Sequence, residues 1–280
     1  MKTKFLIILF ITLSFQSCTN QKFKNDWKKE NLKGRVASFS EFSYEAKNSF
    51  GNIEKGRKRL QFRWLHNEIN KYNENGKKTE MYWYNSFDSL LRKYTFKYNE
   101  FGYKTEMYWH NSDGKLEQKY TYNYNKKGNK IEENRYNSDV KLESKYLYKY
   151  DYKNNNIEEN RYFSDGDLFR RYVNEYDFTG NKIEEIEYNA KGKIESEYKY
   201  KYDYNGNKTE YKRYNHSGSL KDTETYKYDS NNNLIEYIYG SDFKITYSYE
   251  FDHKGNWIKK LIYVDEIPKF IVERKYEYYE

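Results

Sequence analysis

The sequence predicts an all-β fold: an antiparallel hairpin-repeat meander in 26-residue units, curled into a spiral or barrel-like sheet. Three observations lead there. The phrases "YDYKNNNIEENRYF", "YDFTGNKIEEIEYN" and "YDYNGNKTEYKRYN" begin at Tyr150, Tyr176 and Tyr202, one period apart. Between turn signals, residues alternate apolar and polar with period two. The composition joins 36 Tyr and 21% aromatics to only 36% hydrophobic residues and one Pro. Such low hydrophobicity would favour disorder, but disordered chains are poor in aromatics. A sheet whose packed side is largely tyrosine satisfies both facts.

Taken in order, "MKTKFLIILFITLSFQSC" has two lysines, an apolar run from Phe5 to Phe15, then Ser17 and Cys18. The run is too short to span a bilayer comfortably. It resembles a bacterial lipoprotein signal, which implies cleavage before Cys18 and acylation of that residue. The expected organisation is a signal peptide over 1–17, a polar tether over 18–33 with at most a short helix near Trp27, and one repeat domain over 34–280. The expected partner of Cys18 is the lipid bilayer of a bacterial outer or periplasm-facing membrane. Cys18 is the only cysteine, so no internal disulfide competes for it. Without Lys2 and Lys4 the formal charge of +8 becomes +6, spread over Lys and Glu of alternating sign. No basic block marks a nucleic-acid groove, and no nucleic-acid partner is expected.

Regular repeats occupy about 73–251. Each unit is anchored by Asn73, Asn99, Asn125, Asp151, Asp177, Asp203 or Asp229, and Asp252 follows after a shorter step. Three positions on stand Gly76, Gly102, Gly128, Asn154, Gly180, Gly206, Asn232 and Gly255. Asn replaces Gly twice because both tolerate positive φ, so the column predicts a type I turn with a G1 bulge. A second turn follows about twelve residues later, as "NSDG" at 111–114 and "FSDG" at 163–166. Val140 stands where that turn wants glycine, predicting a different or strained turn.

Strands of about nine residues, roughly 30 Å long, join these turns as antiparallel neighbours. Leu142, Ser144, Tyr146, Tyr148 and Tyr150 are expected on one face, Glu143, Lys145 and Lys149 on the other. Ile131, Ile157, Ile183 and Thr209 are expected to supply a small plug at the starts of the more polar outgoing strands, and the tyrosine side is expected to face itself across a narrow interior. Segments 34–46, 57–71, 256–264 and 268–279 are expected to add strands to the fourteen of the repeats.

The "YDxxGN" units resemble the YD or Rhs-type repeats of bacterial secreted proteins, carried by Tyr150-Asp151, Tyr176-Asp177, Tyr202-Asp203 and Tyr228-Asp229. The opening "LKGRVASFSEFSYEA" resembles the first strand of small Bacteroidetes lipoproteins with such repeats. In the large Rhs proteins the repeats form a shell around a toxin, and this chain is too short to enclose one.

Chemistry is sparsely signalled. His66, His110, His216 and His253 lack metal-ligand spacing. The pairs Glu132-Glu133, Glu158-Glu159 and Glu184-Glu185 recur in successive units, and adjacent strand residues face opposite ways. No catalytic residue, metal or cofactor is therefore expected, and a hydrolase is the weakest reading. The expected function is a non-enzymatic, envelope-anchored binding or structural module. Its alternative is a glycan or peptide receptor using Trp83 and Trp109, one period apart, with Tyr82 and Tyr108 beside them. These indoles are expected to stack on adjacent hairpins, as platform or as core.

Overall fold

The computed structural model describes residues 25–49, 52–58 and 67–280. The expected signal peptide, Cys18 and His66 lie outside the described residues. After a short helix α1 (Asp26–Lys29) come β1 (Val36–Ser49), β2 (Asn52–Lys58) and β3 (Asn67–Tyr72). The hairpins follow as β4 (Lys78–Tyr84), β5 (Leu90–Tyr98), β6 (Lys104–Asn111), β7 (Leu116–Tyr124), β8 (Lys130–Tyr136) and β9 (Leu142–Tyr150). They continue as β10 (Asn156–Phe163), β11 (Leu168–Tyr176), β12 (Lys182–Asn189), β13 (Ile194–Tyr202), β14 (Lys208–Asn215) and β15 (Leu220–Tyr228). Then come β16 (Leu234–Tyr239), β17 (Phe243–Phe251), β18 (Trp257–Val264) and β19 (Ile267–Tyr278).

Every consecutive pair from β3 to β19 is antiparallel, and β1 closes the ring. It pairs with β3 over Ser38–Glu41 and with β19 over Val36–Glu45, while β2 prolongs its far end. Leaving out β2, the nineteen strands form an 18-strand barrel. At the closing seam Arg274 Nε donates to Glu41 Oε2 at 2.7 Å, its guanidinium lying over Phe39 and Trp257. Eighteen strands is a number at which barrels leave room for a lumen.

The first-turn column adopts its expected geometry, with φ of 81° at Gly206, 69° at Asn154 and 63° at Asn232. Asp203 shows why the anchor is Asp or Asn. Its Oδ1 accepts from the backbone N–H of Asn205 at 2.9 Å and of Asn207 at 2.8 Å, satisfying donors that the turn strands. Asn207 then donates to Asp203 Oδ2 and to Asn232 Oδ1 of the next unit, tying successive turns together. Val140 occupies the same left-handed region, at φ 59°, where a β-branched side chain is strained.

A bulge follows each first turn and changes which residues face inward. Lys208 pairs with Tyr202 and Glu210 with Lys201, so Thr209 is the extra residue. The lysine before the bulge thereby joins the tyrosine face. Ile131, Ile157 and Ile183 occupy the bulged position and are 38%, 37% and 38% exposed, so they form no inner plug. A second shift, between Arg135 and Tyr136, pairs Leu142 with Tyr136 and removes it from the face of Ser144 and Tyr146.

The tyrosine ahead of six successive Asn or Asp anchors has a defined structural task. Its hydroxyl donates to the backbone carbonyl of the pre-bulge residue in the neighbouring hairpin: Tyr98 to Lys78, Tyr124 to Lys104, Tyr150 to Lys130, Tyr176 to Asn156, Tyr202 to Lys182 and Tyr228 to Lys208. Tyr249 and Tyr276 repeat the contact on Leu234 and Trp257. A bulge leaves a carbonyl without its ladder partner, and the phenol supplies one. The repeated phrase serves shape.

Candidate functional site

The two faces of the wall obey different rules. Outside, Glu80, Glu106, Glu132, Glu158, Glu184, Glu210 and Glu236 stand one period apart, a residue type kept in all seven units. Most are clasped by two cations: from the flanking strands Glu80 by Lys71 and Lys93, Glu106 by Lys97 and Lys119, Glu158 by Lys149 and Arg171, and Glu236 by Lys227 and Lys244, while Glu210 takes Lys201 from the neighbouring strand and Lys212 from its own. Desolvation pushes the Glu106 carboxyl up, but hydrogen bonds from Lys97, Lys119 and Tyr108 outweigh it and hold it at about 2. The inner neighbours of this column differ from unit to unit: Met81, Met107, Glu133, Glu159, Glu185, Tyr211 and Tyr237. Two residues further on stand Trp83, Trp109, Arg135, Arg161, Glu187, Arg213 and Tyr239. The glutamate pairs thus split across the wall, Glu132 bonding Lys145 outside and Glu133 bonding Lys130 inside.

The apolar quarter of this lining lies beneath α1. Asn25 caps the helix by accepting from Lys28 N–H at 3.0 Å, and Asp26 N–H donates to Gly76 O at 2.7 Å. Asp26 Oδ2 accepts from Lys78 N–H, and the Tyr98 hydroxyl proton is shared between Asp26 Oδ2 and Lys78 O, each 2.8 Å away. Trp27 buries its ring with Leu32, Val36, Phe39 and Tyr72, its Nε1 donating to Val36 O at 2.8 Å. From Asn25 onward the segment read as tether is therefore part of the packed fold.

Between helix and wall lies a cavity of about 270 Å³, floored by Met81, Trp83, Tyr94, Phe96 and Met107 and rimmed by Asp26, Lys29, Glu30, Lys78 and Lys104. Lys78 is paired with Glu30 at 2.8 Å. The Lys104 amine lies 4.4 Å from the centre of the Phe96 ring. Burial chiefly, with Lys29 and Lys78 nearby, lowers its pKa to about 8 against the pull of Asp26 and Glu30. The arrangement presents a cation above a wall of rings and thioethers, suited to an anionic group on an apolar body.

The four aromatic candidates divide between the faces. Trp83 and Trp109 point inward, half-buried. They do not stack on each other: Tyr94 stands between them, 5.2 Å from one ring centre and 6.2 Å from the other. The Arg92 guanidinium covers Trp109 at 4.3 Å, and Trp83 Nε1 donates to Glu68 at 3.1 Å. Tyr82 and Tyr108 point outward and donate to Glu80 and Glu106. Sequence reasoning allowed for the short helix near Trp27 but missed its docking on the wall and missed Lys104, because a lysine column beside a turn reads as solvated until the bulge is known. Among the described residues no group of three His, Cys, Asp or Glu is disposed to hold a metal, and no helix is long and apolar enough to cross a membrane.

No family model and no curated protein matches this chain. Among solved structures, it is similar to a porin-like protein from Bacteroides uniformis at 11% identity and TM-score 0.42, covering 86% of this chain and 96% of that one. A porin-like protein from Bacteroides vulgatus gives 9% identity and TM-score 0.36 over 87% and 99%. The Tc holotoxin pore of Photorhabdus luminescens gives 12% identity and TM-score 0.34 over 79% of this chain and 15% of that one. These similarities assign no family, and the YD/Rhs relation stays a resemblance.

Proposed function

We propose that this chain is a non-enzymatic binding module, tethered at the bacterial envelope through acylated Cys18, that works through its inner wall. The observation that carries this reading is the contrast between the faces: the outer glutamate column repeats, while the inner columns diverge into Met-Trp, Glu-Arg and Tyr sectors. A purely structural ring would need no such divergence. A membrane-spanning barrel needs an apolar outer band, and the Lys-Glu-Lys ladders stand where that band would lie. The barrel wall therefore belongs in water, with the lipid contact made by the anchor.

The ligand class that fits the cavity is a small carboxylate with an aromatic or apolar body, its charge on Lys104 and its body on Met81, Trp83 and Met107. An envelope glycan or peptide would have to enter the lumen to reach the indoles. The test is calorimetric titration of the Cys18→Ala protein with 3-phenylpropanoate, using neutral 3-phenylpropanol as control. Binding of the acid that falls at least tenfold in Lys104→Met, with weak alcohol binding unchanged, supports the reading. Equal affinity of acid and alcohol, or no binding of either, overturns it.

A further inference from the structure

The two ends of the barrel differ chemically. At the first-turn end, five successive turns run from Phe101 to Tyr204, and four of them raise an aromatic ring at the tip. Phe101 is 75% exposed, Tyr152 82%, Phe178 88% and Tyr204 97%. The turn between Phe101 and Tyr152 carries exposed Lys126 and Lys127 instead, and Lys153 lies beside the Tyr152 ring. Glu100 is the acidic tip residue of the arc, and the anchors Asp151, Asp177 and Asp203 add three carboxylates that are turned back onto backbone N–H groups of their own turns. At the opposite end the corresponding tips include Ser112-Asp113, Ser138-Asp139 and Ser164-Asp165, with Phe87 the aromatic tip there.

Scattered exposed aromatics are ordinary, but an arc of them on consecutive turns at one end is not. None of the four rings is needed by its turn, which the anchoring Asp or Asn and the left-handed residue define. Aromatic rings with lysines between them suit the headgroup layer of a bilayer, where amphipathic rings and cations are both favoured.

The chain's own geometry brings this rim to such a layer. α1 is bonded to the first-turn end through Asp26 N–H and Gly76 O, and Lys33 N–H donates to Asn256 of another first turn. Cys18 precedes Asn25 by seven residues, a reach of at most about 25 Å. The wall is roughly 30 Å tall, so an anchor at Cys18 holds the aromatic rim next to the membrane and the second-turn rim away from it.

We infer that the first-turn rim is a membrane-docking surface: Phe101, Tyr152, Phe178 and Tyr204 seat in the headgroup layer of an anionic bilayer, with Lys126 and Lys127 on its phosphates. This rests on the proposed anchor only for orientation, and the experiment separates the two. The Cys18→Ala protein is sedimented with vesicles of phosphatidylglycerol and phosphatidylethanolamine, and with phosphatidylcholine vesicles as the uncharged reference. Partition into the anionic vesicles is expected, weakened by salt. It should fall at least tenfold in the quadruple variant Phe101→Ser, Tyr152→Ser, Phe178→Ser, Tyr204→Ser, and hold in Phe87→Ser. Circular dichroism checks that the quadruple variant keeps its β spectrum, as exposed tips allow. No partition of the Cys18→Ala protein, or equal partition of the quadruple variant, overturns the docking surface. Mass spectrometry of residue 18 decides the anchor independently, whichever way the vesicle result falls.

Discussion

Replacing Lys104 by Met should stabilise the protein at neutral pH, with a smaller gain at high pH. The amine has a folded-state pKa of about 8 against an ordinary 10.5, a difference of about 2.5 units, or ~3 kcal/mol at 1.36 kcal/mol per unit. The sign follows from linkage. Between pH 8 and 10.5 the unfolded chain holds a proton that the folded chain has lost, so wild-type stability rises with pH across that window. Below pH 8 both states are protonated and the full cost of burying the ammonium is present. Methionine keeps the stem's length and packs against Phe96 and Met107 without that cost. Urea unfolding of wild type and Lys104→Met at pH 7 and pH 10 measures the difference, followed by tryptophan fluorescence. The expected gain is about 1–3 kcal/mol at pH 7, shrinking at pH 10. A Met variant less stable than wild type at pH 7, or a difference independent of pH, would refute the desolvated-amine reasoning. A buried cation that costs stability is what a binding site keeps and a scaffold discards.

Four further outcomes are expected. Tyr150→Phe removes the hydroxyl that satisfies Lys130 O and should cost about 1–2 kcal/mol, measured by urea midpoint; no change would mean that water serves the carbonyl equally well. Val140→Gly should raise stability by about 1–2 kcal/mol, since Val140 sits at φ 59°, whereas Gly206→Val should lower it by about 1–3 kcal/mol and Gly206→Asn leave it nearly unchanged; equal midpoints for the two Gly206 variants would contradict the turn geometry. The depressed carboxyl of Glu106 contributes stability above the ordinary carboxylate range, and this is lost as pH falls from about 4 towards 2. Glu106→Gln should flatten that part of the acid-unfolding curve, and an unchanged curve would show the outer ladder to be energetically silent.

What the sequence made legible was whatever repeats. Asn154 and Asn232 standing in for glycine disclosed the left-handed turn, and alternation around Tyr146, Tyr148 and Tyr150 disclosed the faces. The opposite orientation of Glu132 and Glu133 followed from strand geometry alone. What stayed hidden depends on insertions and distant contacts. One extra residue per bulge sends Ile131 outward and turns its lysine neighbour inward, and period-two counting cannot register a skipped step. Closure depends on β1 meeting β19, as in Glu41 with Arg274, across more of the chain than any local pattern spans. The cavity was illegible for the same reason, since α1 reaches the wall through Gly76 and Tyr98 rather than through neighbours in sequence.

The central claim is a ring closed in water, with its outer wall solvated and its lining kept for binding. Ser40 of β1 lies opposite Lys275 of β19, and paired residues on antiparallel strands are about 4.5–5.5 Å apart at Cα, within disulfide range. The most direct measurement is therefore disulfide formation in Ser40→Cys, Lys275→Cys on the Cys18→Ala background, by thiol counting in detergent-free buffer. The account predicts near-complete, monomeric cross-linking with an unchanged β spectrum. Thiols that stay free in buffer, or that pair only when detergent micelles are added, would contradict it.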